Sequence, residues 1–155
     1  MDENIIAVVQ DESKGAPSTS SVSIVRVGSD KAQYDLYFTD RRIVAATIFS
    51  QSDISQLGPV AVYESAFKWK KTRQEKRDSY KGKTPGEILS MHKDSFELPY
   101  DKIKSAQIKK GLAGAKIIAE VEWQGQIENV KLKIPKKRAG EVKEILQTKI
   151  PGSVS

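Results

Sequence analysis

The chain has 155 residues, no cysteine, and 26 Lys and Arg against 20 Asp and Glu, for a formal charge of +6. That length suits one domain with a real hydrophobic core, and 38% hydrophobic with 30% charged residues excludes disorder throughout. The absence of cysteine excludes disulfides, thiolate metal ligands and thiol catalysis together. The N-terminal MDENIIAVVQDES is acidic, and its apolar run is too short for a secretory signal. No window reaches the roughly 20 apolar residues that span a bilayer; residues 57–69 come nearest and carry Glu64 and Lys68. The expected location is cytoplasmic, extending to peripheral contact with a membrane.

In chain order, residues 5–9 form a short apolar run and residues 21–27 (SVSIVRV) alternate loosely, both reading as strands. DESKGAPSTS between them reads as a loop. Residues 34–38 alternate cleanly, with Tyr34, Leu36 and Phe38 on one face and Asp35 and Tyr37 on the other. Thr39-Asp40-Arg41-Arg42 supplies a turn whose charges are expected to be structural, and residues 43–49 form a more buried strand. These four segments are expected to make an antiparallel meander.

The pattern then changes. Gly58-Pro59 reads as a helix start, residues 60–81 lack Gly and Pro, and Gly82 stands at the C-cap position. Thr84-Pro85-Gly86-Glu87 predicts a capping box opening a second, short helix. A strand over residues 96–110 is interrupted at Pro99. Residues 115–123 alternate, Gln124-Gly125 signals a two-residue hairpin, and Val130, Leu132 and Ile134 face the core on the return. Ile127 falls out of phase, which predicts a bulge or a twist near Glu128. Ala139, Val142, Ile145, Leu146 and Ile150 follow helical spacing to the chain's last helix. The sum is one α+β domain of about seven strands over residues 1–155, a β-barrel or sandwich closed by a helix over residues 136–150, with a helical insertion over residues 57–91.

That order resembles pleckstrin-homology-like domains of bacterial or archaeal type and the related GRAM domains. YDLYFTDRRIV resembles their Thr-Asp-x-Arg-hydrophobic hairpin, FELPYDKIKSAQIKKG their Ile-Pro-Tyr-x-x-Ile stretch, and KKRAGEVKEILQTKI their last helix. The resemblance covers residues 5–49 and 96–150, and it implies a binding or assembly module rather than an enzyme. Phosphoinositide-binding members carry several Lys and Arg around the first hairpin loop. Here that loop holds Lys14 alone, so those ligand residues do not carry over.

The excess charge lies elsewhere. Residues 68–83, KWKKTRQEKRDSYKGK, hold eight Lys and Arg against Glu75 and Asp78, while the rest of the chain has 18 basic and 18 acidic residues. Concentrated charge attracts an anionic partner, whereas dispersed charge mainly confers solubility. The candidate contacts are Lys68, Lys70, Lys71, Arg73, Lys76, Arg77, Lys81 and Lys83, beside apolar Val62, Tyr63, Phe67 and Trp69. On a helical wheel Lys70, Arg73 and Arg77 continue the side on which the apolar residues begin. Two readings follow: the first turns pack on the barrel and a solvated basic half projects, or the whole face meets a partner. The partner would be an anionic membrane surface or an acidic protein, bound reversibly. The alternative is single-stranded nucleic acid, with Trp69 or Tyr80 stacking on a base.

No catalytic, cofactor or metal residues are expected. His92 is the sole histidine and reads as a surface or capping residue. The serines at positions 18, 20, 21 and 23 have no nearby base. Gly111-Leu112-Ala113-Gly114 lacks the Lys-Ser/Thr and helix of a phosphate loop and reads as a turn. Trp123 is expected in the core or at its rim.

Overall fold

The computed structural model describes residues 3–12, 22–24, 32–50, 65–112 and 114–155. Eight strands are described: β1 (Ile5–Val9), β2 (Val22–Ile24), β3 (Ala32–Thr39), β4 (Arg42–Ser50), β5 (Phe96–Pro99), β6 (Ile103–Lys110), β7 (Ala115–Trp123) and β8 (Gln126–Ile134). They form two antiparallel four-stranded sheets, ordered β1-β3-β4-β5 and β2-β8-β7-β6. Helices α1 (Ser65–Tyr80) and α2 (Pro85–Ser90) lie between β4 and β5, and α3 (Ala139–Lys149) follows β8. The chain is thus α+β, with two sheets and a C-terminal helix. Among the described residues no strand pair joins the two sheets.

The expected meander is corrected. β1 pairs with β3, but β2 crosses to pair with β8, Val22 opposite Leu132. The stretch expected as one interrupted strand divides at Pro99. Its first part, β5, ends as the edge of the first sheet, where a residue without an N–H is tolerated. A 3₁₀ turn over Tyr100–Lys102 then redirects the chain into β6 of the second sheet. The helices therefore separate two neighbouring strands of one sheet, since β4 pairs directly with β5.

The alternation seen in sequence sets the main core. Leu36 and Phe38 of β3, Ile43 of β4, Ile117 and Val121 of β7, and Leu132 and Ile134 of β8 meet between the sheets. Ala139, Val142 and Leu146 of α3 join that cluster, each fully enclosed. The Gln124-Gly125 turn has φ of 49° and 79°, the left-handed pair that a two-residue hairpin requires. No bulge follows it. The β7–β8 register runs unbroken from Trp123 opposite Gln126 to Ala115 opposite Ile134, and Ile127 points outward, half exposed. Its apparent phase error is an apolar residue on the solvent face, opposite Glu122.

A second core lies on the other side of β4. Val44, Ala46 and Ile48 pack with Tyr80 of α1 and Ile88 of α2. The capping box of α2 is complete, with Thr84 Oγ1 accepting from Glu87 N and the Glu87 carboxylate accepting from Thr84 N. Gly82, just beyond α1, has φ of 74°, the conformation that favours glycine after a helix.

The Thr39–Arg42 turn owes its residue types to a network. Thr39 Oγ1 accepts from Arg41 N and Arg42 N and donates to Glu3. Arg42 grips Glu3 with two N–H groups at 2.8 and 2.9 Å and reaches Glu97 of β5, tying the N-terminal segment, the turn and an edge strand together. Tyr100 closes the corner, its hydroxyl donating to Thr39 O at 2.7 Å. Burial raises the Glu3 carboxyl, but the hydrogen bonds from Arg42 and Thr39 outweigh it and hold the group below its ordinary value. A carboxyl depressed on folding stabilises the protein above its unfolded value, and that contribution is lost as pH falls through the depressed one. Glu3→Gln should therefore be less stable than wild type at neutral pH, with the gap closing below about pH 4 in urea unfolding series. A gap independent of pH would show that the ionised carboxylate does not matter.

Candidate functional site

The basic helix α1 lies on the first sheet, above β4. Side chains three and four apart on a helix share a face, and Arg73, Arg77 and Tyr80 have that spacing. All three turn toward the sheet. Tyr80 is 3% exposed, donates its hydroxyl to Thr47 O and meets Tyr37 edge-to-face at 6.4 Å.

Beneath the helix, the outward face of β3 offers Gln33, Asp35 and Tyr37. Arg77 binds Asp35 through both ends of its guanidinium, Nε to Oδ2 at 2.7 Å and Nη2 to Oδ1 at 2.9 Å. Nη2 also donates to the backbone oxygen of Asp11 at 2.7 Å, while Asp11 N donates to Asp35 Oδ1 at 2.9 Å. One arginine thereby joins α1, β3 and the segment after β1. One turn earlier, Arg73 is 5% exposed, donates Nε to Gln33 Oε1 at 2.6 Å and sits 5.3 Å from the centre of the Phe49 ring.

Burial and charge pull in opposite directions here. Burial pushes the Asp35 carboxyl up, opposed by the Arg77 and Asp11 donors. The hydrogen bond to Asp35 raises Arg77, against burial, whereas burial lowers Arg73. Both guanidiniums start so far above neutrality that they stay charged. The arrangement is a clamp made from a buried ion pair and an arginine stacked on an aromatic ring.

Of the sequence-derived contacts, Arg73 and Arg77 thus lie against the sheet and are engaged by it. That corrects their assignment to a solvent-facing anion surface. The wheel set them with Lys70 on the side where the apolar residues begin, but both readings left that half to solvent or to a partner; polar residues on β3 meet Arg73 and Arg77 there, while Lys70 is exposed. Tyr80, offered as a base-stacking residue, is enclosed for the same reason. Lys70, Lys71, Lys81 and Lys83 are exposed, and Lys76 is half-buried. Lys71 lies 4.0 Å from Glu75 and Lys81 3.0 Å from Asp78, all four side chains more than half exposed. Val62 and Tyr63 lie outside the described residues. Phe67, Lys68 and Trp69 belong to the start of α1, and their side chains are also outside what is described.

Sequence reasoning missed the acceptors. The signal was present, because Gln33 and Asp35 alternate onto one face of a strand while Arg73 and Arg77 share one face of a helix. Nothing in the sequence says that these two faces meet. His92 sits in the turn before β5, half-buried, with Nδ1 accepting from Asp94 N at 3.1 Å. No group of three His, Cys, Asp or Glu suited to a metal ion occurs among the described residues. No helix among them is long and apolar enough to cross a membrane. Comparison with protein families, with curated proteins and with solved structures finds no match to this chain.

If Asp35 anchors the helix, Asp35→Ala should cost about 3 kcal/mol in chemical denaturation, since it strands the Arg77 guanidinium. Lys71→Ala, which breaks only an exposed pair, should change stability by less than about 0.5 kcal/mol. A double-mutant cycle between Asp35→Ala and Arg77→Ala should show coupling; additive losses would mean that the pair does not hold α1.

Proposed function

We propose that this chain is a non-enzymatic binding module of pleckstrin-homology-like kind, and that the exposed lysines of α1 and of the turn after it are where an acidic protein segment docks. Two stacked sheets with a helix at the C-terminal end support the architectural part, together with the Thr39–Arg42 turn and the Pro99-Tyr100 corner. One observation carries the functional part. α1 is fixed to the sheet by Arg73, Arg77 and Tyr80, so the exposed lysines along it and just past its end stand on a rigid platform. Lys70, Lys71, Lys81 and Lys83 are held ready without a folding step, which lowers the entropy lost on binding.

The sign pattern favours a protein over a lipid surface at this helix. Glu75 and Asp78 stand among the lysines, exposed at 66% and 53%. A flat anionic leaflet would repel both carboxylates together, whereas a peptide can place its own charges to suit them. The exposed pairs are weak, and the lysines exchange them for a partner's carboxylates at little loss.

The test is titration of a labelled poly-glutamate peptide at low salt into wild type and into Lys70→Glu, Lys71→Glu, Lys81→Glu and Lys83→Glu combined. All four positions are exposed, so the thermal midpoint should stay near that of wild type. Affinity should fall about tenfold or more. Equal affinities, or no binding by wild type, would remove α1 as the docking face. A single-stranded oligonucleotide bound more tightly than the peptide would move the assignment to nucleic acid.

A further inference from the structure

The second sheet carries a cluster that composition hides. Ala115, Ile117 and Ala119 face the core, so Lys116 and Ile118 of β7 face outward. The register sets Lys109 of β6 directly opposite Lys116, and Lys116 directly opposite Lys133 of β8. Three lysines therefore stand side by side on three adjacent strands, each about 4.8 Å from the next. Like charges directly opposite one another destabilise a sheet. Among the described residues none of the three has a carboxylate within ion-pair distance. Lys131 adds a fourth cation two residues along β8. The acids of this face lie toward its other end, where Glu122 is already bonded to Lys104 at 2.8 Å.

The row lines a groove at the β6–β7 turn. Gly111 N donates to Gly114 O at 2.7 Å, closing the turn, and the Lys133 stem passes over Gly114. At the tip is Leu112, the most exposed large apolar side chain described, with its full surface open to solvent. A lone exposed leucine is ordinary. Here it projects from a tight turn flanked by Lys109 and Lys110 on one strand and Lys116 on the next.

We infer that this end of the second sheet is a docking tip for an anionic lipid bilayer. Leu112 enters the boundary between headgroups and acyl chains, and Lys109, Lys110, Lys116 and Lys133 meet lipid phosphates and carboxylates. The lysine stems are long enough to keep their charges at headgroup level while the turn descends. A membrane fits better than nucleic acid because the exposed apolar group sits ahead of the cations. The outward neighbours Gln107, Ile118 and Asn129 include no aromatic on which a base would stack. The inference is independent of the α1 reading, since α1 covers the outer face of the first sheet and the row lies on the outer face of the second. Among the described residues no element covers either face, so one copy can join an acidic protein to a membrane.

Co-sedimentation of the full chain with vesicles tests this. Phosphatidylserine–phosphatidylcholine vesicles should bind wild type and pure phosphatidylcholine vesicles should not. Partitioning should fall about fivefold for each of Lys109→Gln, Lys116→Gln and Lys133→Gln. Leu112→Ser should weaken binding without altering the thermal midpoint. Leu112→Trp should gain a blue-shifted emission component with the anionic vesicles, a signal that a merely nearby loop would not give. The α1 variant with four lysines reversed should sediment as wild type does, which separates this inference from the one about α1. It is overturned if wild type ignores anionic vesicles, if neutral vesicles bind equally, or if the tip variants bind as wild type does. Loss of vesicle binding in the α1 variant alone would also overturn it. So would an oligonucleotide held by the same lysines with Leu112→Ser without effect, which would give the surface to nucleic acid.

Discussion

β4 is the strand on which both layers of this protein depend. From Ile43 to Ser50 every residue is buried, because one face meets the second sheet while the other meets α1 and α2. A strand buried on both sides cannot stand at an open surface, so the sheet requires a cover on its outer face. The helices between β4 and β5 supply it without disturbing the ladder, since the chain leaves β4 and returns as its antiparallel neighbour. What reads along the sequence as an insertion is, in space, the third layer.

The cover is joined to the sheet by two different kinds of contact. Toward its C-terminal end α1 uses Tyr80, and α2 uses Ile88, both among apolar partners. Further up, the contact is polar: an ion pair of Arg77 with Asp35, and Arg73 hydrogen-bonded to Gln33 and set over the Phe49 ring. A buried pair gains little net stability, because desolvation offsets most of its attraction. Its contribution is better sought in registry. A guanidinium fork bound at both nitrogens fixes rotation and translation of the helix in a way that apolar packing does not. Arg77 extends that control to the backbone of Asp11, so the position of α1 and that of the segment after β1 are set together.

Local patterns in the sequence identified most of the elements. Period-two alternation placed Leu36, Phe38, Ile117 and Leu132 in the core, and helical spacing placed Val142 and Leu146 there. Thr84 with Glu87, and Gln124 with Gly125, marked a helix start and a hairpin through chemistry confined to four residues or fewer. Partnership between distant segments was not legible. β2 crosses to β8 instead of joining β1 and β3, and the two halves of residues 96–110 serve different sheets. The same limit governed the basic segment. Its phase on the helix was readable, but the acceptors on β3 stand about forty residues away in sequence, and no pattern within the helix points to them.

Charge along a chain and charge in space are different quantities, and this protein separates them. The segment that holds the entire formal surplus gives two of its cations to the sheet beneath it and intersperses two acids among the rest. The remainder, balanced at 18 against 18, is uneven once folded. Antiparallel pairing brings Lys109, Lys116 and Lys133 into one row, although they come from three strands and are spread over 25 positions. A window over residues 109–133 sets those lysines, with Lys110 and Lys131, against Glu120, Glu122 and Glu128 and reports a surplus of only +2. Strand register undoes that average, because in a hairpin the residues nearest the turn and those farthest from it collect at opposite ends of the sheet. Topology can therefore gather a basic surface from strands that each hold only part of it and are interleaved along the chain with acids.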